Sequence, residues 1–123
     1  MSGFTQNYVC VKIYRYGEMP ELTENLSYYV DDNYVIVIPK GFKTDFASIP
    51  RIFWNIIAPI GKWTLPSVLH DYLYSEGYRL GISRKQADKI FYQAMRKSFV
   101  APITANIMWV CVRLFARKHY NKG

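Results

Sequence analysis

Two helix-forming segments separated by a short break constrain this chain most: LPSVLHDYLYSEG at residues 65–77 and SRKQADKIF at 83–91. Helices joined by a short connection lie antiparallel, and the hairpin expected here is centred near Arg79. Residues whose numbers sum to about 158 then face one another, which sets His70 against Asp88. An imidazole facing a carboxylate is the arrangement that orients a general base and holds it in one tautomer. Asp71 points about 100° away from its neighbour His70 on the same helix, so it is placed to hold a hard cation or to cap another group.

The rest of the chain divides into a strand-rich part, residues 1–40, and a helical part, 48–118. Tyr8 to Tyr14 is apolar, β-branched or aromatic. Leu26 to Val30 and Tyr34 to Ile38 flank Asp31-Asp32-Asn33, a turn signal between two strand-forming runs. Pro39-Lys40-Gly41 ends the sheet, because proline donates no hydrogen bond to a ladder. Ser48 is expected to cap a short helix through Ile57, Thr64 one that runs to about Ser75 before Gly77, and Ser83 one over 84–98. A last helix begins near Ala101-Pro102 and reaches about Lys118. Its stripe of Ile103, Ile107, Val110, Cys111 and Leu114 is widened almost all round by Met108, Trp109, Val112 and Phe115. Such a helix is central to a core, or it hides a second face in a partner or at a membrane surface. The expected architecture is a single α+β domain over 1–123: a small N-terminal antiparallel sheet followed by a bundle of about four helices.

Charge is distributed unevenly along this frame. Residues 1–78 carry six basic and eight acidic side chains, whereas 79–123 carry ten basic and one acidic. That one acid is Asp88. The basic half reads either as a solubilising surface or as attraction to the phosphates of lipid or nucleic acid. The sequence has no phosphate-binding glycine loop, no zinc-finger spacing and no RNA-binding strand signature, which argues against nucleic acid. Cys10 and Cys111 lie far apart in apolar contexts and are expected to be reduced, structural residues. The opening MSGFTQNYVC lacks a signal-peptide pattern, and no run is apolar enough to span a bilayer, so a soluble cytoplasmic protein is expected.

For His70 the residues leave three roles open: a structural histidine bonded to a neighbour, a catalytic base oriented by Asp88, or a transition-metal ligand. Tyr74 follows His70 at i+4, one helical turn away. The only other histidine is His119, and no HExxH or Cys/His zinc spacing occurs. A hard cation suits the oxygens better: Asp71 and Asp45 are candidate ligands, and the loop from Gly41 through Thr44 to Asp45 could lend carbonyls. Arg51 pairing with Asp45 or Asp71 is the structural alternative for the same residues.

TDFASIPRIFWNIIAPIGKWTLPSVLHDYLY, with SRKQADKIFYQAM after it, resembles the DUF1353 family of small proteins of tailed phages and prophages, over most of residues 34–115. That resemblance implies a phage or prophage setting, in the cytoplasm of a bacterial host, peripheral at its membrane or in the virion. His70-Asp71 with Tyr74, then a helix bearing Ala87-Asp88 and Phe91, is also similar to the catalytic helix pair of phospholipases A2. Carried over, His70 would activate water, Asp71 would ligate Ca²⁺ and Asp88 would orient His70. Two functions follow as expectations. The first is a calcium-dependent ester hydrolase acting at anionic phospholipid, with His70, Asp71 and Asp88 bordering a cleft. The second is a non-enzymatic phage accessory or assembly protein that binds a phage or host protein through aromatic and basic surface. In that case Asp45, Arg51, His70 and Asp71 form a buried network.

Overall fold

The structure, a computed structural model, describes residues 3–4, 11–12, 21–43 and 64–123. The helix expected from Ser48, most of the strand from Tyr8 to Tyr14, and Cys10, Thr44, Asp45 and Arg51 lie outside the described residues. Within them the order is β1 (Gly3–Phe4), β2 (Val11–Lys12), β3 (Glu21–Leu22), β4 (Leu26–Asp31), β5 (Tyr34–Ile38), α1 (Thr64–Leu80), α2 (Arg84–Lys97) and α3 (Pro102–Phe115), then a short 3₁₀ turn at Arg117–His119. This is the expected α+β architecture, sheet first and helices after.

β1, β4 and β5 form one antiparallel sheet with β4 in the middle, and β2 pairs with β3. The β4–β5 hairpin turns where the sequence signals it, and the Asn33 N–H donates to the Asp31 carboxylate at 2.7 Å. Period-two alternation then decides the faces: Leu26, Tyr28, Ile36 and Ile38 are buried, while Val35 and Val37 face outward. Beyond β5, the Lys40 N–H donates to the Asn25 side chain at 2.7 Å and Gly41 donates to the Leu22 carbonyl, tying the end of the hairpin to β3.

The buried sheet face and the helices share one apolar cluster, in which Leu65, Val68, Leu69 and Leu73 of α1 meet Phe91, Ala94 and Met95 of α2 and Met108 and Val112 of α3. α1 is the central element: Leu65 through His70 are all buried, as are Tyr72, Leu73 and Tyr74. The sequence offered the last helix for that place. The structure puts α3 at the outside instead, with Ala105, Met108, Cys111 and Val112 turned inward and Ile103, Val110 and Leu114 exposed.

Helix ends depart from expectation for local reasons. α1 continues to Leu80, through Gly77, rather than stopping near Ser75. It ends in a Schellman motif: the Ile82 N–H reaches back to the Gly77 carbonyl at 2.8 Å, and Gly81 takes the left-handed conformation at φ +74°. Gly77 is therefore a spacer, since a Cβ there would meet the Ile82 carbonyl oxygen at 3.0 Å. α2 opens with a complete capping box, Ser83 accepting from the Gln86 N–H and Gln86 accepting from the Ser83 N–H. α3 ends at Phe115, short of Lys118, and the 3₁₀ turn follows.

Gly77→Ala tests this reading of the α1–α2 turn, because helix propensity and packing oppose each other there. Propensity alone would stabilise by about 1 kcal/mol. The close carbonyl is expected to outweigh it, lowering stability by about 1 kcal/mol in denaturant titration; a more stable variant would refute the spacer role.

Candidate functional site

The site is built where three helices meet. His70 and Tyr74 stand one turn apart on α1, so they share a face, and Asp88 approaches from the first half of α2. His70 Nε2 lies 2.7 Å from Asp88 Oδ1, as the antiparallel register requires. The Tyr74 hydroxyl donates to the same oxygen at 2.6 Å. Arg113 of α3 donates to the other oxygen, Oδ2, at 2.7 Å. Both carboxylate oxygens are thus engaged, by donors from two other helices.

A second arginine braces this array. Arg84, at the start of α2, donates through Nε to the Tyr74 hydroxyl at 3.0 Å and through Nη2 to the carbonyls of Val112 and Arg113 at 2.8 and 2.7 Å. Those carbonyls lie in the last turn of α3, where the helix dipole attracts a cation; the Val112 carbonyl also accepts the Ala116 N–H at 3.2 Å. Arg84 therefore fixes the end of α3 and, with it, the backbone that carries Arg113.

His70 is 1% exposed and Asp88 0%, whereas Asp71 is only half-buried. The His70 ring packs between Tyr74 and Phe91, with centroids at 4.1 and 4.6 Å. Burial of this kind raises a carboxyl pKa, yet Asp88 is held below the ordinary carboxylate range. Hydrogen bonds from His70, Tyr74 and Arg113 outweigh the desolvation. Tyr74 moves the opposite way: burial first, then its bond to the Asp88 carboxylate, pushes its hydroxyl above the ordinary tyrosine value. The proton assignment follows. An ionised Asp88 only accepts, so His70 in its neutral form carries its proton on Nε2 and its lone pair on Nδ1.

Of the residues singled out from the sequence, His70, Asp88 and Tyr74 come together, and Asp71 occupies the adjoining face of α1. Thr44, Asp45 and Arg51 lie outside the described residues. Among the described residues no group of three or more His, Cys, Asp or Glu side chains is placed to hold a metal. Asp71 is the one carboxylate of the expected calcium set that they contain, and a calcium ion takes six to eight oxygens, roughly. The described residues therefore do not make up that set. Arg84 and Arg113 were not found from sequence. Cys111 is buried, which pushes its thiol pKa up and suits a structural residue.

Comparison with known proteins places the chain as follows. The family described as "Protein of unknown function (DUF1353)" matches residues 20–112. Uncharacterized protein y4jT of Sinorhizobium fredii is 31% identical over 97 residues, covering 77% of this chain but 28% of that protein. The chain thus spans under a third of the length of this relative. No solved structure matches.

Because the folded pKa of Asp88 is depressed, the folded state binds fewer protons than the unfolded chain just below the ordinary carboxylate value. Its contribution is full above about pH 4 and is lost as pH falls through the depressed folded value. Asp88→Asn is expected to cost about 3 kcal/mol at neutral pH, since Arg113 and His70 lose a charged acceptor. It should also flatten the acid limb of stability against pH. Urea titrations of both proteins from pH 7 to about pH 2.5 check this; an acid limb equally steep in the variant would show that Asp88 does not carry it.

Proposed function

The chain belongs to the DUF1353 family, and from the geometry of its three-helix junction we propose that it is an ester hydrolase whose general base is His70. One observation supports this above others: His70 Nε2 is bound to Asp88 at 2.7 Å while Tyr74 and Arg113 hold that carboxylate in place. An imidazole with its proton on Nε2 is basic at Nδ1, as a water-activating base requires. In this reading Nδ1 takes a proton from water as the oxygen attacks the ester carbonyl. The resulting imidazolium is stabilised by Asp88 and returns the proton to the leaving alkoxide as the tetrahedral intermediate collapses. Asp88 and Tyr74 are positioning residues, since neither touches substrate. The near-complete burial of His70 means that substrate reaches Nδ1 only after the covering side chains part.

The substrate class follows from charge. Ten basic groups against one acid in residues 79–123 favour an ester that carries phosphate, and a phospholipid combines both features. Calcium, implied by the likeness to phospholipases A2, would polarise the carbonyl and stabilise the oxyanion when bound beside Asp71. A phage or prophage origin belongs to this proposal as well.

The burial of His70 and Asp88 favours a second reading, a non-enzymatic accessory protein in which the same network is a staple between helices. Fatty-acid release from mixed anionic phospholipid vesicles separates the two, measured with calcium and with chelator. The hydrolase predicts calcium-dependent release that falls at least about a hundredfold in His70→Asn, with the variant still folded. No release from folded wild-type protein would leave the staple reading alone.

A further inference from the structure

The outer side of α3 is not accounted for by the His70 site. Ile103, Ile107, Val110 and Leu114 recur at intervals of four, three and four along one line of the helix, opposite the inward Ala105, Met108 and Val112. Ile103 is 70% exposed and Leu114 67%. The ridge is about 17 Å long at 1.5 Å per residue. Asn106 is the one polar side chain that interrupts it.

Phe99 lies three residues before the start of α3, and its backbone supplies a separate observation. α2 ends in a second Schellman motif: the Val100 N–H bonds the Met95 carbonyl at 2.9 Å and the Phe99 N–H bonds Arg96 at 3.2 Å. The position between them calls for left-handed backbone and normally holds glycine. Here it is Phe99, at φ +68° and 82% exposed. A bulky residue in that conformation strains the folded chain. Its ring gains almost no burial in return. Among the described residues nothing covers this large apolar group, which is held outward against local preference.

Charge identifies what would cover the ridge. In chain order Arg96, which donates to the Val100 carbonyl at 2.8 Å, and Lys97 precede Phe99 and α3, and Arg117, Lys118 and Lys122 follow α3. An open cleft of about 500 Å³ there is lined by Phe115, Arg117, Lys118, Tyr120 and Lys122, three cations with two aromatic rings. Two copies meeting on this face would bring basic ends together in either orientation, which disfavours self-association. A convex apolar ridge with cationic ends matches an anionic bilayer, whose acyl boundary receives the side chains and whose phosphates receive the cations. No helix among the described residues is long and apolar enough to cross a membrane, so α3 would lie along the surface.

We propose that the outer face of α3, led by Phe99, docks the protein on anionic lipid membranes, with a lipid phosphate held in the Arg117–Lys118–Lys122 cleft. The proposal deepens the hydrolase reading by naming the surface that would deliver it to substrate, but the binding is measured without hydrolysis. The test is co-sedimentation of the full chain, in chelator, with phosphatidylcholine vesicles and with vesicles of equal parts phosphatidylcholine and phosphatidylglycerol. Wild type should pellet with the anionic vesicles alone and be released by high salt. Phe99→Gly combined with Leu114→Gln should lower the partition coefficient at least about tenfold. Phe99→Gly removes backbone strain, and both substitutions are on exposed positions, so the variant should fold; its thermal midpoint verifies that. Folded wild type that stays in solution with anionic vesicles would overturn the proposal. So would undiminished binding by the variant, or a wild-type dimer that Leu114→Gln dissociates, which would assign the face to a second copy. Binding without any ester release would leave the docking face standing and remove the hydrolase, whereas release from dispersed short-chain esters without vesicle binding would do the reverse.

Discussion

The Asp88 carboxylate, without solvent contact, receives hydrogen bonds from His70 and Tyr74 on one oxygen and Arg113 on the other. A buried anion is tolerable only when its lone pairs are met by charged or strongly polar donors in fixed positions. This demand sets the arrangement of the helical half. α1 must present His70 and Tyr74 on one face, α2 must run antiparallel to it, and α3 must end where Arg113 reaches Oδ2. Arg84 secures the third condition by capping the carbonyls of Val112 and Arg113 while it holds the Tyr74 hydroxyl. Hydrogen bonds from His70 and Tyr74 first, and from Arg113 after them, keep Asp88 ionised in an apolar setting. One arginine neutralises its charge directly and the other orients a donor to it.

The elements read most easily from sequence are those decided by near neighbours. Asp31-Asp32-Asn33 turns the chain by a bond from a backbone N–H to a side chain two residues back, and Ser83 with Gln86 opens α2 by a reciprocal pair three apart. The contact between His70 and Asp88 was legible for a related reason: the two lie within a hairpin whose register depends only on loop length. Arg113 was not legible, because nothing in the sequence fixes how α3 crosses that hairpin. Arg84 stood in a helix cap, where a basic residue carries no signal of a partner 28 residues on. Gly77 was misread as a stop because its reason is spatial, the approach of the Ile82 carbonyl. The end of α2 was read within one residue, at 98 against Lys97, although Phe99 stands where glycine would mark a terminus.

α3 joins the two functional themes. Its inner side packs Met108 and Val112 into the core, Arg113 beside them serves Asp88, and its outer side presents a second apolar line. The sequence showed a helix apolar almost all round and left two explanations open, a central place in the core or a covered second face. The structure gives the central place to α1, so the outer line of α3 needs its own explanation. A helix that touches both the Asp88 network and the surroundings is placed to couple the two, since a shift of α3 would move the Arg113 guanidinium relative to the carboxylate.

The proton position on His70 reports its interaction with Asp88 without requiring any activity. Long-range ¹H–¹⁵N correlation NMR near neutral pH distinguishes the two imidazole tautomers and the imidazolium. In its neutral form His70 is expected to show a protonated, pyrrole-like Nε2 and a bare, pyridine-like Nδ1. A proton on Nδ1 with Nε2 bare would contradict this, since an ionised Asp88 could not then be the acceptor that holds the ring.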